Sequence, residues 1–277
     1  MSKWVSKKKF SVILFLCEYG GKLVLILISS VLYGLGVSDV SGAIWYVDND
    51  APGDPNPNNP LVSDPLEDGS PDHPFDAIQE GINSADPNDT VLVLTGTYTG
   101  TGNKNLNFAG KAITVCSIDP YNPNIAASTI IDCEGSGRGF YFRNNETTSS
   151  VLSGLTITNG VGTFVDIDGR NWKVGGAIFC SNSSPLITNC RLVNNSTRYG
   201  GGIFCHYSDA VIQNCLISNN YAANTGGGIG AKKSHVTVTN STISGNTASS
   251  GGAIYAWYHY PSLSISNSII KGMLYQV

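Results

Sequence analysis

The densest group of residues with chemical potential is the stretch VDIDGRNWK, residues 165–173. Its two carboxylates and two cations are Asp166, Asp168, Arg170 and Lys173. These residues could combine metal-binding carboxylates with a cationic group, so the four are the candidate catalytic site. The alternative is a solvated loop, because Asp, Gly and Asn favour turns.

A second acidic stretch, VDNDAPGD, covers residues 47–54. Asp48, Asp50 and Asp54 could together hold Ca²⁺ through their carboxylates. The stretch lacks the glycine and the terminal glutamate of an EF-hand loop, so an ordinary loop is the competing interpretation. None of the four histidines has the spacing of a zinc site, and no Gly-x-Ser-x-Gly motif occurs.

A third group lies at four equivalent places in the later chain, which read SN, HY, KK and WY. Aromatic faces beside cations can stack on sugar rings and hold them. The predicted carbohydrate-binding residues are therefore His206, Tyr207, Lys232, Lys233, Trp257 and Tyr258. The alternative is a variable loop edge whose aromatics only cover strand backbone.

These places are equivalent because the later chain repeats. Glycine motifs such as VGGAIF and YGGGIF begin at residues 174, 199, 225 and 250, in steps of 25, 26 and 25. A fixed period of this size predicts a stacked architecture. Within each unit, stretches such as HVTVTNSTIS alternate apolar and polar residues, which is typical of strands. The sequence predicts an all-β parallel β-helix with coils of about 25 residues.

Three inward rows of apolar residues indicate three short strands per coil. The rows are Ile178, Ile203, Ile229 and Ile254; Ile187, Ile212, Val238 and Ile265; and Leu192, Ile217, Ile243 and Ile270. The glycine pairs predict turns with positive φ or close backbone contact. The asparagines at 189, 214, 240 and 267 predict a second bend, with left-handed backbone and side-chain amides bonded from coil to coil.

The cysteines follow the same columns. Cys190 and Cys215 share a column with serines, and Cys180 and Cys205 share one with alanines. Small residues in the same slots predict stacked free thiols rather than obligatory disulfides. Disulfides between neighbouring coils remain the alternative, because the protein is predicted to be exported.

Export is predicted from the N-terminus. A basic segment, MSKWVSKKKF, is followed by an apolar run from Leu23 to Val37 and by small residues at 41–43. Residues 1–43 are therefore interpreted as a signal peptide, and the protein as secreted, periplasmic or on the cell surface. A membrane partner would arise only if this signal stayed uncleaved. Residues 44–89 are predicted to form a loop and a short capping helix within His73–Ala85, and residues 90–277 the β-helix.

Composition excludes one partner class. Only 13% of residues are charged, and the formal net charge is −4 at pH 7. No stretch is basic enough to follow nucleic-acid phosphates, so nucleic acid is not an expected partner.

The order of these motifs resembles a known group of proteins. HPFDAIQEGINSA, then DTVLVLTGTYTG, then GGAI coils is similar to the right-handed parallel β-helix proteins of the pectate-lyase-like superfold. The GGAI tetrads at 175–178 and 251–254 are also similar to those of polymorphic outer-membrane proteins. The resemblance implies a right-handed solenoid, in a superfold that includes polysaccharide lyases, hydrolases, adhesins and binding modules.

The resemblance does not extend to catalytic signatures, because the Asn-Thr-Asp, Asp-Asp, His-Gly and Arg-Ile-Lys motifs of those enzymes are missing. We therefore expect a non-catalytic secreted or surface module that binds polysaccharide or another surface component, without a cofactor. The alternative is a polysaccharide lyase or glycoside hydrolase built around residues 165–173, for which Ca²⁺ would be the cofactor.

The last repeat suggests self-association. The pattern holds as far as Gly272, and Met273 then stands where Asn246 and its equivalents stood. Leu263, Ile265 and Ile270 would then lie at an open end of the stack. The β-helix is thus expected to be truncated at its C-terminal end and to associate end to end.

Overall fold

The computed structural model describes residues 14–19, 22–27, 42–50, 65–257, 262–272 and 274–276. The chain forms two units, residues 1–40 and 41–277. In the first unit, strand Leu14–Tyr19 pairs antiparallel with Lys22–Leu27. The basic head and most of the apolar run lie outside the described residues, so the signal peptide stays a prediction.

The second unit is built on three parallel sheets, as the repeat predicts. Sheet I contains Ile44–Val47, Thr90–Val93, Thr114–Ser117, Val151–Ser153, Leu186–Thr188, Val211–Gln213, His235–Thr239 and Ser262–Ser266. Sheet II contains Gly96–Tyr98, Thr129–Asp132, Thr156–Thr158, Arg191–Val193, Leu216–Ser218, Thr242–Ser244 and Ile269–Ile270. Sheet III contains Leu106–Asn107, Phe140–Phe142, Ile178–Ser181, Ile203–His206, Ile229–Lys232, Ile254–Trp257 and Leu274–Gln276. Successive coils therefore pair strand on strand in all three sheets.

A fourth sheet corrects the prediction of three strands per coil. Sheet IV contains Thr163–Ile167, Arg170–Val174, Ser196–Tyr199, Tyr221–Thr225 and Thr247–Ser250. Its first two strands form an antiparallel hairpin, and the remaining strands continue in parallel. The sequence did not reveal it because these segments, such as TASS, carry little apolar alternation.

Two short helices interrupt the strands. Ile78–Ser84 lies inside the segment predicted as helical, and Ile78, Ile82 and Ala85 are buried in the main core. Pro123–Ser128 was not predicted. Strand Ile44–Val47 pairs with Thr90–Val93, so the segment predicted as loop and helix also supplies a strand of sheet I.

The inward rows are confirmed by strand register. Ile178, Ile203, Ile229 and Ile254 pair in sequence across sheet III, and all four are fully buried. In the last coil Leu263, Ile265 and Ile270 are only partly buried against the same core. End-to-end association through this coil stays a prediction.

The two predicted bends are confirmed, with one correction. Gly200 has φ of +65°, and a Cβ on Gly201 would lie 2.4 Å from the carbonyl oxygen of Gly227 in the next coil. The asparagines at 189, 214, 240 and 267 all adopt left-handed backbone. The amide ladder, however, is made by another column: Asn195 Nδ2 donates to Asn220 Oδ1 (3.1 Å), and Asn220 Nδ2 donates to Asn246 Oδ1 (3.0 Å).

The cysteine side chains lie at the buried positions that the repeat predicts. The six cysteines Cys116, Cys133, Cys180, Cys190, Cys205 and Cys215 are buried and free. Cys215 N donates to Ser241 Oγ at 3.0 Å, which places serine in the same column one coil on. Burial raises the pKa of Cys116 to about 11, so its thiol stays protonated at neutral pH.

Candidate functional site

The insertion at residues 165–173 is an ordered hairpin rather than a solvated loop. Thr163–Ile167 pairs with Arg170–Val174, and Ile167 faces Arg170 across the turn. The turn residues Asp168 and Gly169 both have positive φ, at 53° and 74°. Asp-Gly is the dipeptide that favours a two-residue hairpin turn of this type, and this sequence signal was overlooked.

The hairpin covers the outer face of sheet III and encloses a second hydrophobic cluster, separate from the solenoid core. The cluster contains Ile167, Val174, Phe179, Phe204 and Trp257. Phe179 and Phe204 point outward from the solenoid, as their alternation predicts, but they are buried in this cluster. The hairpin is therefore held against the coils by apolar burial.

At the tip of the hairpin, Asp168 meets the predicted aromatic and cationic column. Its Oδ2 accepts hydrogen bonds from Lys232 Nζ at 2.7 Å and Lys233 Nζ at 3.0 Å. His206 Nε2 lies 3.8 Å from Asp168 Oδ1. The sequence placed these residues in two separate candidate sites, and the structure joins them across 64 positions.

At the tip one carboxylate faces two ammonium groups and one imidazole. Hydrogen bonds from Lys232 and then Lys233 lower the pKa of Asp168 to about 2, so it is a carboxylate at neutral pH. Burial lowers the pKa of His206 to about 4, so this imidazole is neutral. The hydroxyl of Tyr207 and the carboxylate of Asp168 raise the pKa of Lys233. The carboxylate of Asp168 is thus already hydrogen-bonded to the ammonium groups of Lys232 and Lys233.

The predicted carbohydrate-binding residues differ in exposure. Trp257 is 8% exposed, and His206 and Lys232 are also buried, so in this structure these three side chains offer little surface to a ligand. Tyr207 is 50% exposed, and Lys233 Nζ lies 4.8 Å from its ring centroid. Tyr258 lies outside the described residues.

The four predicted catalytic residues do not converge. Asp166 Oδ1 accepts a hydrogen bond from Gly169 N at 2.9 Å and serves the turn, whereas Asp168 points to sheet III. Within the described residues, Arg170 and Lys173 form no ion pair. In the hairpin register Arg170 lies opposite Ile167, on the face away from Asp166 and Lys173, whereas Asp168 occupies the turn.

At the base of the hairpin lies a pocket of about 260 Å³ that the sequence analysis missed. Its principal lining residues are Asn105, Arg138, Tyr141, Arg143, Thr163 and Phe164. Arg138 Nη2 donates to the carbonyl oxygen and the hydroxyl of Thr163. The guanidinium of Arg143 stacks on Tyr141, with Cζ 4.6 Å from the ring centroid.

The signal that could have revealed this pocket is the segment RGFYFRN, residues 138–144. Phe140 and Phe142 point into the core, so Tyr141 and Arg143 point outward by the period of two. Two arginines and an outward tyrosine so close to the hairpin insertion indicate a recognition surface. The contact of these residues with the pocket residue Phe164 depends on how the hairpin packs against sheet III.

Comparison with protein families agrees with this architecture. Residues 134–270 match the family described as right handed beta helix region. The chain is a right-handed parallel β-helix protein. No curated protein and no solved structure shows significant similarity to it.

Within this β-helix the remaining acidic candidate is a pair, Asp48 and Asp50. Asp50 N donates to Asp48 Oδ1 at 3.4 Å. Burial and the neighbouring Asp50 side chain raise the pKa of Asp48 to about 6. Asp54 lies outside the described residues, and among those described no three His, Cys, Asp or Glu side chains converge as metal ligands. A calcium site here stays a prediction.

In the part of the chain that the structure describes, no helix has the length and apolarity needed to cross a bilayer.

Proposed function

We propose that this β-helix is a non-catalytic module that binds polysaccharide, in the secreted fraction or at a cell surface. The observation that carries the proposal is the pocket at the hairpin base. There an exposed aromatic ring, an outward tyrosine and two guanidinium groups border one concave surface. Coils that repeat along the chain would also let an extended polymer lie along the solenoid.

The pocket has the two features that sugar recognition needs. Phe164 is 59% exposed on the hairpin, which leaves its ring free to stack on the apolar face of a sugar. Arg143 and Asn105 supply hydrogen-bonding groups beside it, and guanidinium donors can reach sugar hydroxyls. Apolar lining with a few convergent polar groups is typical of ligand sites.

The tip of the hairpin supports a non-catalytic role. A glycosidase of the common type needs two carboxyl groups on either side of the scissile bond, one of them a general acid with a raised pKa. Asp168 has a lowered pKa and is bound to two lysines, and Asp166 is bound to its own turn. Neither carboxyl group has the environment of a general acid.

The alternative function is a polysaccharide lyase or glycoside hydrolase. It is favoured by one observation, the closeness of Asp168, Lys232 and His206. A carboxylate beside an amine and a neutral imidazole is also the composition of some acid–base sites. Lys232 and His206 are buried, however, so a substrate would need the hairpin to move before reaching them.

Affinity electrophoresis of the purified chain against a panel of neutral and acidic polysaccharides tests the proposal. We expect retardation by at least one polymer, and Phe164→Ala should weaken that binding by about 5- to 50-fold. Tyr121→Ala is the matched control, because Tyr121 is an exposed aromatic residue outside the pocket. Retardation that Phe164→Ala leaves unchanged would place any binding elsewhere.

A product assay separates the two functions. Polysaccharides are incubated with the protein, with and without Ca²⁺, and reducing ends and UV-absorbing unsaturated ends are measured. The proposal expects neither product. Product formation that Asp168→Asn abolishes would instead establish the enzyme.

A further inference from the structure

The hairpin-base pocket is built around two cations, Arg138 and Arg143. Arg138 is 1% exposed, and Arg143 lies at the exposed rim. Among the described residues, no carboxylate lies within ion-pairing distance of either guanidinium. Buried charges in proteins are normally paired with an opposite charge, so this arrangement is unusual.

Arg138 also holds an unused donor. Its Nη2 is bound to Thr163, and its backbone N donates to Asn105 Oδ1 at 3.2 Å. Its Nη1 is buried and has no hydrogen-bond partner among the described residues. Buried donors without partners are rare in native structures, and one common reason is a bound anion or water.

The cations are also held in place before any ligand arrives. Thr163 orients Arg138, whose Cζ lies 5.0 Å from the ring centroid of Phe179. Tyr141 supports Arg143 by stacking. Burial lowers the pKa of Arg138 to about 10, and the charge of Arg143 contributes in the same direction. Arg138 is therefore still a cation at neutral pH.

We propose that this pocket binds the oxyanion of an acidic sugar, a carboxylate or a sulfate ester, with Arg138 and Arg143 as its ligands. Guanidinium groups match oxyanions in geometry and form strong charge-assisted hydrogen bonds with them. Phe164 at the rim would contact the ring that carries the anion. The inference rests on the proposed polysaccharide binding and narrows it to acidic polymers.

The chemistry of the lining distinguishes this site from a cation site. Its ionisable lining residues are Arg138, Arg143 and Tyr141, and a divalent cation would be repelled by the first two. A purely neutral sugar would leave both guanidinium charges without a counter-charge, so an acidic sugar is the better complement.

Titration of the full chain, monitored by ligand-observed NMR, tests the inference with four probes. The probes are galacturonate, galactose 6-sulfate, galactose and inorganic sulfate, all at equal ionic strength. We expect one acidic sugar to bind at least about tenfold more tightly than galactose, and the two acidic probes to show whether carboxylate or sulfate is preferred. Arg143→Gln should abolish that preference.

Arg198→Gln is the matched control, since Arg198 is an exposed arginine outside the pocket, and its preference should equal that of the unmodified chain. Arg143 is itself exposed, so its substitution should leave folding intact, and circular dichroism checks this.

Three results would overturn the inference. Equal binding of galactose and both acidic sugars would show that the pocket does not recognise an oxyanion. The proposed polysaccharide binding would be unaffected by that result. Where galactose 6-sulfate is the preferred acidic probe, inorganic sulfate that binds as tightly would show that the sugar ring is not recognised. Absence of binding by all four probes, together with no retardation by any polysaccharide, would end both the inference and the proposed function.

Discussion

The charged side chains at the two ends of the hairpin differ in their ion pairing. At the tip, Asp168 binds Lys232 and Lys233 and thereby neutralises part of the cationic column. At the base, Arg138 and Arg143 have no carboxylate within ion-pairing distance among the described residues. Both ends lie over the outer face of sheet III, where Phe179, Phe204 and Trp257 are buried beneath the hairpin.

This difference separates structural charge from charge available for recognition. A buried lysine that has a carboxylate partner contributes to fixing the hairpin on the coils, and breaking such a pair is costly. A buried arginine without an acidic partner gains from an anion that arrives from outside. Charged residues near a groove are therefore weak evidence for binding until their partners are known.

Disrupting the hydrophobic cluster beneath the hairpin should have the largest effect on the free energy of unfolding. Phe204→Ala deletes a fully buried ring from the cluster under the hairpin and should lower the free energy of unfolding by about 3–5 kcal/mol. Phe164→Ala is the control, because an exposed ring should change it by less than about 0.5 kcal/mol. Urea denaturation followed by fluorescence measures both. Equal losses in the two variants would show that the hairpin is not anchored by this cluster.

Removing the ion pairs of Asp168 at the hairpin tip should have a smaller effect on the free energy of unfolding. Asp168→Asn keeps a residue that tolerates positive φ, but it leaves Lys232, 5% exposed at its side chain, without its counter-charge. We expect a loss of about 1–3 kcal/mol in the free energy of unfolding, lower than for a fully buried pair because Asp168 is 39% exposed.

The matched variant for the tip is Asp166→Asn, since Asp166 only bonds Gly169 N within the turn. It should cost less than Asp168→Asn in the same urea experiment. If the two variants were equally stable, the ion pairs at the tip would not be structural.

The tip should also make stability depend on pH. His206 has a folded pKa of about 4 against an ordinary value of 6.5, so the unfolded chain binds more protons between these values. Stability from this group is present above pH 6.5 and is lost as the pH falls through 4, at most on the order of 3 kcal/mol. The facing charged groups are Asp168, Lys232 and Lys233.

Comparison of the chain with His206→Gln isolates this contribution. Asp48 has a pKa raised to about 6 and titrates in the same range with the opposite sign, but it is common to both proteins. The difference in melting temperature between the two proteins should therefore change between pH 7 and pH 4. A constant difference would mean that the pKa of His206 is the same in the folded and the unfolded chain.

At the base, removing the cation should have the smallest effect on stability. Arg138→Met keeps an apolar side chain over Phe179 and eliminates a buried charge. Thr163 is exposed, so water can replace the lost hydrogen bonds. We expect a change within about 1 kcal/mol. A larger loss of stability in thermal or urea denaturation would show that Arg138 stabilises the fold, as the ion pairs of Asp168 do at the tip.

The repeating part of the fold was predictable because its physics is local and periodic. Ile203 and Ile229 recur at one spacing, and each coil must bury the same row against its neighbour. The left-handed backbone of Asn214 and the positive φ of Gly200 follow from what those residue types tolerate. The amide ladder was assigned to the wrong column, because two asparagine columns share the same period and only packing distinguishes the buried one.

The sequence by itself determined the solenoid, its period, its inward rows and the slots of its cysteines. Only the tertiary structure decided where the hairpin lies, because that depends on long-range contacts such as Asp168 with Lys232, which have no period to reveal them. The same folding back buried Trp257, which the sequence offered as a binding residue. It also placed Thr163 and Phe164 beside Arg138 and so created a pocket from residues that lie far apart in the linear chain.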